Sequence, residues 1–149
     1  MKIHVLQKQT DLKINRLSVK KLVVDFLKFH AISADEVSIF FVNTAEICDL
    51  HEEYFNDPSP TDCISFPMDE TGEFGYRHLG DIFVCPETAV LYAQKHAGDS
   101  YHEMTLYVVH GLLHLLGYDD LKAKDRKVMR TEEARYLTQV AEKNLWIKS

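Results

Sequence analysis

The stretch VVHGLLHLLGYDD, from Val108 to Asp120, carries the clearest structural signal in this sequence. His110 and His114 are four residues apart, so on a helix they lie on one face, about 6 Å apart along the axis. Apolar residues at helical spacing form a neighbouring stripe. The stripe consists of Thr105, Val108, Val109, Leu112, Leu113 and Leu116. The pattern predicts a helix that is buried along this stripe and presents both imidazoles to the edge of a cleft.

The residues after the histidine pair predict a metal site. Gly117 suits the left-handed conformation that ends a helix, which lets the chain turn back and bring Asp120 towards the imidazoles. The spacing H-x-x-x-H-x-x-G-x-x-D is close to the zinc-protease pattern H-E-x-x-H-x-x-G-x-x-H. Two imidazoles and a carboxylate are acceptable zinc ligands and leave a fourth position open for water. We therefore expect one zinc ion per chain, bound by His110, His114 and Asp120, with Asp119 as an alternative third ligand or a hydrogen-bond partner of a ligand histidine.

The residue after the first histidine bears on the reaction. Zinc proteases keep a Glu there, which accepts the proton of the attacking water. Gly111 has no side chain for this role. Phosphodiester cleavage makes different demands, because a metal ion can activate water or neutralise charge on a phosphoryl oxygen. The sequence favours that chemistry, and a peptidase with its base supplied from elsewhere is the second interpretation.

Composition indicates one globular domain that spans residues 1–149. A chain of 149 residues with 46% hydrophobic content can bury one sizeable core but not two. It has no run of roughly 18 apolar residues and no signal-peptide pattern at its start, so we expect no membrane association and a cytoplasmic location. Cys48, Cys63 and Cys85 lack C-x-x-C spacing, which favours reduced thiols over disulfides or zinc ligands.

The formal net charge of -6 is unevenly distributed. Residues 1–30 hold seven Lys or Arg and two Asp or Glu, whereas residues 31–100 hold two and fourteen. The basic segment suits a polyanion, although a solvated lysine-rich helix face explains the same pattern. We expect this segment to carry the binding of any such polyanion. Its basic residues include Lys8, Lys13, Arg16, Lys20, Lys21 and Lys28.

Hydrophobic periodicity predicts the element order β-α-β-α-β-β-α-α-α. The predicted strands are KIHVLQ, EVSIFFVN, TDCISFP and LGDIFVCP. The predicted helices are LSVKKLVVDFLKFH with Ser18 as N-cap, AEICDLHEEYF with Thr44 as N-cap, Pro86 to His96, about Tyr101 to Leu116, and Lys122 to Leu137 or beyond. This order predicts an α/β (α+β) fold in which about five helices cover a single mixed sheet of mostly four strands.

Three motifs carry a resemblance to a known family. HGLLHLLGYDD is similar to H-G-x-L-H-L-x-G-Y-D-H, PTDCISFP to P-T-D-V-L-S-F-P, and LGDIFVCPETA to a G-D-I strand followed by a helix. By these motifs, over essentially the whole chain, the sequence resembles the YbeY-type endoribonucleases that take part in bacterial ribosomal RNA maturation. The resemblance implies a zinc-dependent, single-strand-specific RNase of α/β fold. Its implied partners are ribosomal RNA and the small ribosomal subunit.

Two residues depart from that family's pattern. The third family ligand is His, whereas Asp120 changes the charge of the site by one unit. The family also has an Arg directly after the tyrosine that precedes PTD, and here Tyr54 is followed by Phe55. Arg77 and the basic first helix are candidates to replace that charge. The missing Arg also supports a third interpretation, a non-catalytic ribosome-assembly factor with a structural zinc ion.

The sequence assigns no catalytic residue, and it does not predict the oligomeric state. Asp62 and Ser65 can face the metal cleft, and Asp62 is a candidate for proton transfer. Asp81 has the same ambiguity. A buried strand opened by an Asp-containing turn accounts for the same residues without any catalytic role.

Overall fold

The computed structural model describes residues 1–68 and 75–149, and in these residues the elements follow the predicted order. The strands are β1 (Lys2–Lys8), β2 (Glu36–Val42), β3 (Cys63–Pro67) and β4 (His78–Val84). The helices are α1 (Arg16–Phe29), α2 (Thr44–Phe55), α3 (Pro86–His96), α4 (Ser100–Leu115) and α5 (Ala123–Lys143). None of the helices in these residues is both long and apolar enough to cross a membrane. Most of the predicted Gly-containing connection between β3 and β4 lies outside the described residues.

The four strands form one mixed sheet in the order β1-β2-β4-β3. β1, β2 and β4 are parallel, and β3 is antiparallel to β4. Ile39 of β2 lies opposite Ile82 of β4, which in turn lies opposite Ser65 of β3. This arrangement confirms the predicted α+β fold, with five helices on a four-stranded mixed sheet in the part of the chain that the structure describes.

The two faces of the sheet carry different helices. Side chains alternate along a strand, so Ile82 points to one face and Phe83 to the other. The face with Ile82 belongs to the main core, to which α1, α4 and α5 contribute Phe26, Leu112 and Tyr136. The opposite face packs against Ile47 of α2. Consequently α2 and α4 lie on opposite faces of the sheet, and the edge strand β3 runs between them.

The predicted N-caps of the first two helices were wrong, by three residues for α1 and by one residue for α2. Asn15 caps α1, and its Oδ1 accepts a hydrogen bond of 3.0 Å from the backbone N–H of Ser18. Asn43 caps α2 in the same way, with a bond of 2.9 Å from Glu46. Asn is as good an N-cap as Ser or Thr, so closely spaced candidates compete and local sequence does not choose between them.

Helix α4 is the central helix of the main core. Asp99 caps its start, and the helix begins and ends one residue earlier than predicted. The predicted stripe is buried, with Leu116 only partly so. Met104, Tyr107 and Leu115 are buried as well, which leaves only a narrow strip of the helix open. His110 and His114 lie on that strip.

Candidate metal centre

The two histidines of α4 bring their ring nitrogens together. The Nε2 atoms of His110 and His114 are 3.0 Å apart, and the ring planes are nearly perpendicular, at 85°. Their side chains are 21% and 26% exposed, so both rings can reach solvent. The helical spacing therefore produces the predicted pair at the edge of a cleft.

Hydrogen bonds fix which nitrogen of each ring carries the proton. Nδ1 of His110 lies 3.0 Å from Oε1 of Glu133, and Nδ1 of His114 lies 3.0 Å from the carbonyl oxygen of Tyr118. An ionised carboxylate and a carbonyl can only accept, so both Nδ1 atoms donate. The two Nε2 atoms then direct lone pairs at each other, an arrangement that calls for a cation or a proton between them.

Asp120 completes a group of three potential ligands. Its Oδ2 lies 3.3 Å from Nε2 of His110 and 3.7 Å from Nε2 of His114. A tetrahedral zinc ion with bonds of about 2.0–2.1 Å places its donor atoms about 3.3–3.4 Å apart. The donor types and their spacing therefore fit zinc. Asp119 is oriented differently, because its Oδ1 accepts the backbone N–H of Leu121 at 3.1 Å.

The turn after α4 places Asp120 beside the rings. Gly117 has φ +98°, which favours glycine. The N–H of Tyr118 donates to Leu113 and that of Gly117 donates to His114, the hydrogen-bond pattern of a Schellman motif. The same turn brings the Tyr118 carbonyl to Nδ1 of His114. Gly117 therefore has the predicted role, and the turn also orients one of the rings.

Gly111 marks the closest approach of α4 to the sheet. A Cβ atom here would lie 2.6 Å from Cγ2 of Ile82 and 3.2 Å from Oγ of Ser65. The Ser65 hydroxyl donates to the Gly111 carbonyl at 3.0 Å. Position 111 thus faces packed side chains of the sheet, and it has no space for the Glu that a zinc protease carries there.

The three potential ligands open into a cleft of about 390 Å³ beside the edge strand β3. The described residues that line it are His51, Phe55, residues 61–65, Pro67, His110, His114 and residues 119–121. Among these lining residues there is no Lys or Arg, whereas Asp62, Asp119 and Asp120 are all acidic. The cleft therefore suits a cation and does not by itself neutralise a phosphate.

Comparison with known proteins identifies the family of this chain. The family model described as "Endoribonuclease YbeY" matches residues 4–141. This chain belongs to that family. An endoribonuclease YbeY of Protochlamydia amoebophila is 49% identical over 98% of this chain and 97% of its own length. One of Chlamydia trachomatis serovar D is 40% identical over 94% of this chain and 88% of its own.

A solved structure shares the fold. The solution structure of TM1509 from Thermotoga maritima superposes with a TM-score of 0.66 and 24% identity. The match covers 95% of this chain and 90% of TM1509. At that identity the likeness concerns only the arrangement of helices and strands. Membership of the YbeY family, which the three motifs predicted, is shown by the family model and the sequence relatives.

Charge and burial have opposite effects on the pKa of His110. Burial lowers the pKa of the imidazole, but the hydrogen bond to Glu133 and the charges of Glu133, Asp62 and Asp120 raise it, and the net direction is upward. Three carboxylates therefore make positive charge favourable at this ring. A metal ion provides such charge without protonating Nε2.

The cysteines are all free thiols, as the sequence predicts, but only Cys85 is buried as a whole residue. Cys63 lines the cleft, and burial raises the pKa of its thiol well above the ordinary value, with the charges of nearby carboxylates adding to the effect. The thiol therefore stays protonated, which makes it a poor zinc ligand.

The three other polar candidates from the sequence, Asp62, Ser65 and Asp81, differ in whether they face the cleft. Asp62 lines the cleft, and its Oδ1 accepts from the Cys63 N–H at 2.7 Å, while Oδ2 has no hydrogen bond among the described residues. Ser65 also lines the cleft, but its hydroxyl donates a hydrogen bond to the Gly111 carbonyl. Asp81 points to the opposite face, 3.5 Å from Nε2 of His78, and does not line the cleft. Of these three residues, only Asp62 both lines the cleft and has a side-chain oxygen without a hydrogen bond to the described residues.

The candidate basic residues lie away from the triad. Arg77 donates its backbone N–H to Asp35 and its guanidinium to the Ser33 carbonyl, near the start of β2. Arg16 and Lys20 line a separate groove beside β1, at the sheet edge opposite β3. The structure therefore does not bring either candidate into the cleft as a replacement for the family's Arg.

Two residues of the site were missed by sequence reasoning. Glu133 reaches His110 from α5, 23 residues away, and His51 lines the cleft from α2. Neither contact follows from local spacing, because each depends on how separate helices pack against the sheet. A Glu on the predicted last helix has no sequence signal that distinguishes it from its neighbours.

Proposed function

We propose that this chain is a zinc-dependent endoribonuclease specific for single-stranded RNA, acting in the cytoplasm on ribosomal RNA during maturation of the small ribosomal subunit. His110, His114 and Asp120 bind one zinc ion per chain. The observation that carries the proposal is the convergence of their three ligand atoms, all within 4.8 Å of one another. The RNA substrate is supported by membership of the endoribonuclease YbeY family, and the ribosomal target by the resemblance of the three motifs.

The chain's own residues prepare the site for this chemistry. When bound, zinc supplies a Lewis acid beside a phosphodiester oxygen and makes water a better nucleophile at neutral pH. Glu133 and the Tyr118 carbonyl hold the two rings with Nε2 directed into the cleft. Oδ2 of Asp62 is the nearby oxygen available to accept a proton.

Two measurements test the proposal together. Elemental analysis of the purified protein should find about one zinc per chain, and the zinc-loaded protein should cleave single-stranded RNA. His114→Ala should lose both properties, because two remaining ligands do not make a complete site. Unchanged metal content in a His110→Ala, His114→Ala double variant would contradict the ligand assignment.

A second candidate function rests on the lining of the cleft. Since none of the described lining residues is Lys or Arg, a zinc-containing assembly factor without nuclease activity also fits. Wild-type protein with full zinc content that binds ribosomal RNA without cleaving it would favour this alternative. A peptidase is disfavoured because position 111 has no room for a Glu base.

A further inference from the structure

Phe55 presents an aromatic ring to the candidate metal cleft. Its side chain lines the cleft, and the residue is 57% exposed. It is the last residue of α2. The YbeY family pattern has an Arg at this position. Exposure of an aromatic ring to water is unfavourable. The ring does, however, offer a flat surface on which a ligand with a π face can stack.

His51 holds this ring from one side. The centroids of the two rings are 5.8 Å apart, with an interplanar angle of 57°. His51 is itself fixed, because its Nδ1 donates to the Ser59 carbonyl at 2.7 Å. Phe55 is thus supported by an anchored neighbour one helical turn earlier, while more than half of its surface stays open.

A second apolar residue enters the cleft from the other side of β3. Leu121 lines the cleft and is 82% exposed. It follows α4, whereas Phe55 ends α2, and these helices lie on opposite faces of the sheet. The hydrogen bond from its N–H to Asp119 fixes the turn that carries it. The cleft therefore has one exposed apolar side chain at the end of α2 and another after α4.

The side chain of Phe55 suits a base better than a phosphate, because it carries no charge and presents a flat aromatic face. Asp62 and Asp119 add negative charge to the cleft, whereas a nucleobase is uncharged. Unpaired bases of single-stranded RNA stack on aromatic side chains, and paired bases are not available for such contacts. The occupant that fits Phe55 is therefore one unstacked base.

We propose that Phe55, supported by His51, forms a stacking site for one unpaired nucleobase of a single-stranded RNA, adjacent to the candidate metal centre. This inference rests on the proposed function, because it assumes that RNA enters the cleft. In this chain, position 55 would then recognise a base, whereas an Arg at this position would neutralise a phosphate.

The test compares two neighbouring aromatic residues. Tyr54 is also 57% exposed, but it packs against Phe66 and does not line the cleft. With a short single-stranded RNA, Phe55→Leu should weaken binding roughly five-fold or more, whereas Tyr54→Leu should leave it near the wild-type value. Phe55→Trp should retain binding, since it keeps an aromatic face.

Salt dependence separates stacking from charge. The slope of log affinity against log salt counts neutralised phosphates, so Phe55→Leu should leave it unchanged while Phe55→Arg should steepen it. An RNA with the fluorescent base 2-aminopurine scanned along its length should show a change in fluorescence at one position, where the base leaves its stack in the RNA, and Phe55→Leu should abolish this change.

The outcomes distinguish this inference from the proposed function. If wild-type protein cleaves RNA and Phe55→Leu binds RNA as tightly as Tyr54→Leu, the stacking site is wrong and the nuclease stands. If wild-type protein neither binds nor cleaves RNA, both fail. Zinc content should be equal in all of these variants, since position 55 is not among the proposed ligands.

Discussion

Asp120 sets the charge of the candidate metal centre. Two neutral imidazoles and one carboxylate leave a zinc site with one positive charge fewer than three imidazoles would. The YbeY family pattern has His at this position. The turn at Gly117 places position 120 beside the rings of His110 and His114. Position 120 can therefore supply either ligand type from the same backbone.

Exchange of this residue tests the third ligand. Asp120→His should retain zinc, because the number of ligands is unchanged. Asp120→Ala should weaken zinc binding by at least the roughly 10- to 100-fold that loss of a ligand's hydrogen-bond partner costs. Competition with a chelator measures both variants, and Asp119→Ala is the matched control. Full zinc affinity in Asp120→Ala would mean that another residue is the third ligand.

At the scale of elements, Gly111 determines how closely α4 packs on the sheet. Gly111→Ala gains helix propensity of about 1 kcal/mol, but the added methyl group would lie 2.6 Å from Cγ2 of Ile82. Overpacking of this kind costs about 1–3 kcal/mol. We expect a net loss in the free energy of unfolding, measured by urea denaturation, and a larger loss for Gly111→Glu.

Gly98 offers the control for that substitution. A Cβ atom there would have Ala93 Cα as its nearest neighbour, at 3.9 Å, and no positive φ is required. Gly98→Ala should therefore leave stability unchanged or raise it by up to about 1 kcal/mol. Equal stability of the Gly111 and Gly98 variants would show that α4 can move away from the sheet at little cost.

Asp25 links α1 to α5. Its Oδ2 accepts from the Tyr136 hydroxyl at 2.9 Å and from Gln139 at 3.0 Å, and its Oδ1 accepts from Lys143 at 3.1 Å. Burial raises the pKa of this carboxyl, but the three hydrogen bonds outweigh burial and hold the pKa below its ordinary value. Its contribution to stability is therefore complete above the unfolded-state pKa of about 3.9 and is lost as the pH falls through the lower folded-state pKa.

This linkage predicts a pH-dependent difference between variants. Asp25→Asn should lower the free energy of unfolding at pH 7 by about 1 kcal/mol or more. Below about pH 4 the wild-type protein should lose stability more steeply with falling pH than Asp25→Asn. Asp11→Asn, at an exposed position before α1, should follow the wild-type curve. Parallel curves for wild type and Asp25→Asn would contradict the assigned hydrogen bonds.

At the scale of the whole molecule, periodicity predicted the element order because each strand and helix has its own local pattern. The H-x-x-x-H-x-x-G-x-x-D spacing likewise predicted the three grouped residues, since one helix and one turn hold all of them. Glu133, His51 and the cleft wall at Phe55 could not be predicted. Their positions depend on α2 and α5 packing against β3 and α4, which no local spacing encodes.

The distribution of charge separates two regions of the molecule. Lys20 and Lys21 are exposed on α1, and Lys20 lies beside β1. The acidic cleft lies beside β3, at the opposite edge, and three strand spacings of about 4.8 Å separate these edges by about 14 Å. A single-stranded RNA with one nucleotide in the cleft can therefore extend to the basic segment only by crossing the sheet or passing around it.

If RNA takes such a path, replacement of Lys20 and Lys21 by Gln should weaken binding and flatten the slope of log affinity against log salt together. Each phosphate contact releases counterions when RNA binds. Loss of one contact therefore reduces the magnitude of the slope by roughly 0.7 for a single strand. Zinc content should stay unchanged, because neither lysine lies near the triad. Lys95→Gln on α3 is a control for general loss of charge. A slope equal to that of the wild type would place the phosphate contacts elsewhere, with Arg77 and the segment from Lys122 to Arg130 as the next residues to replace.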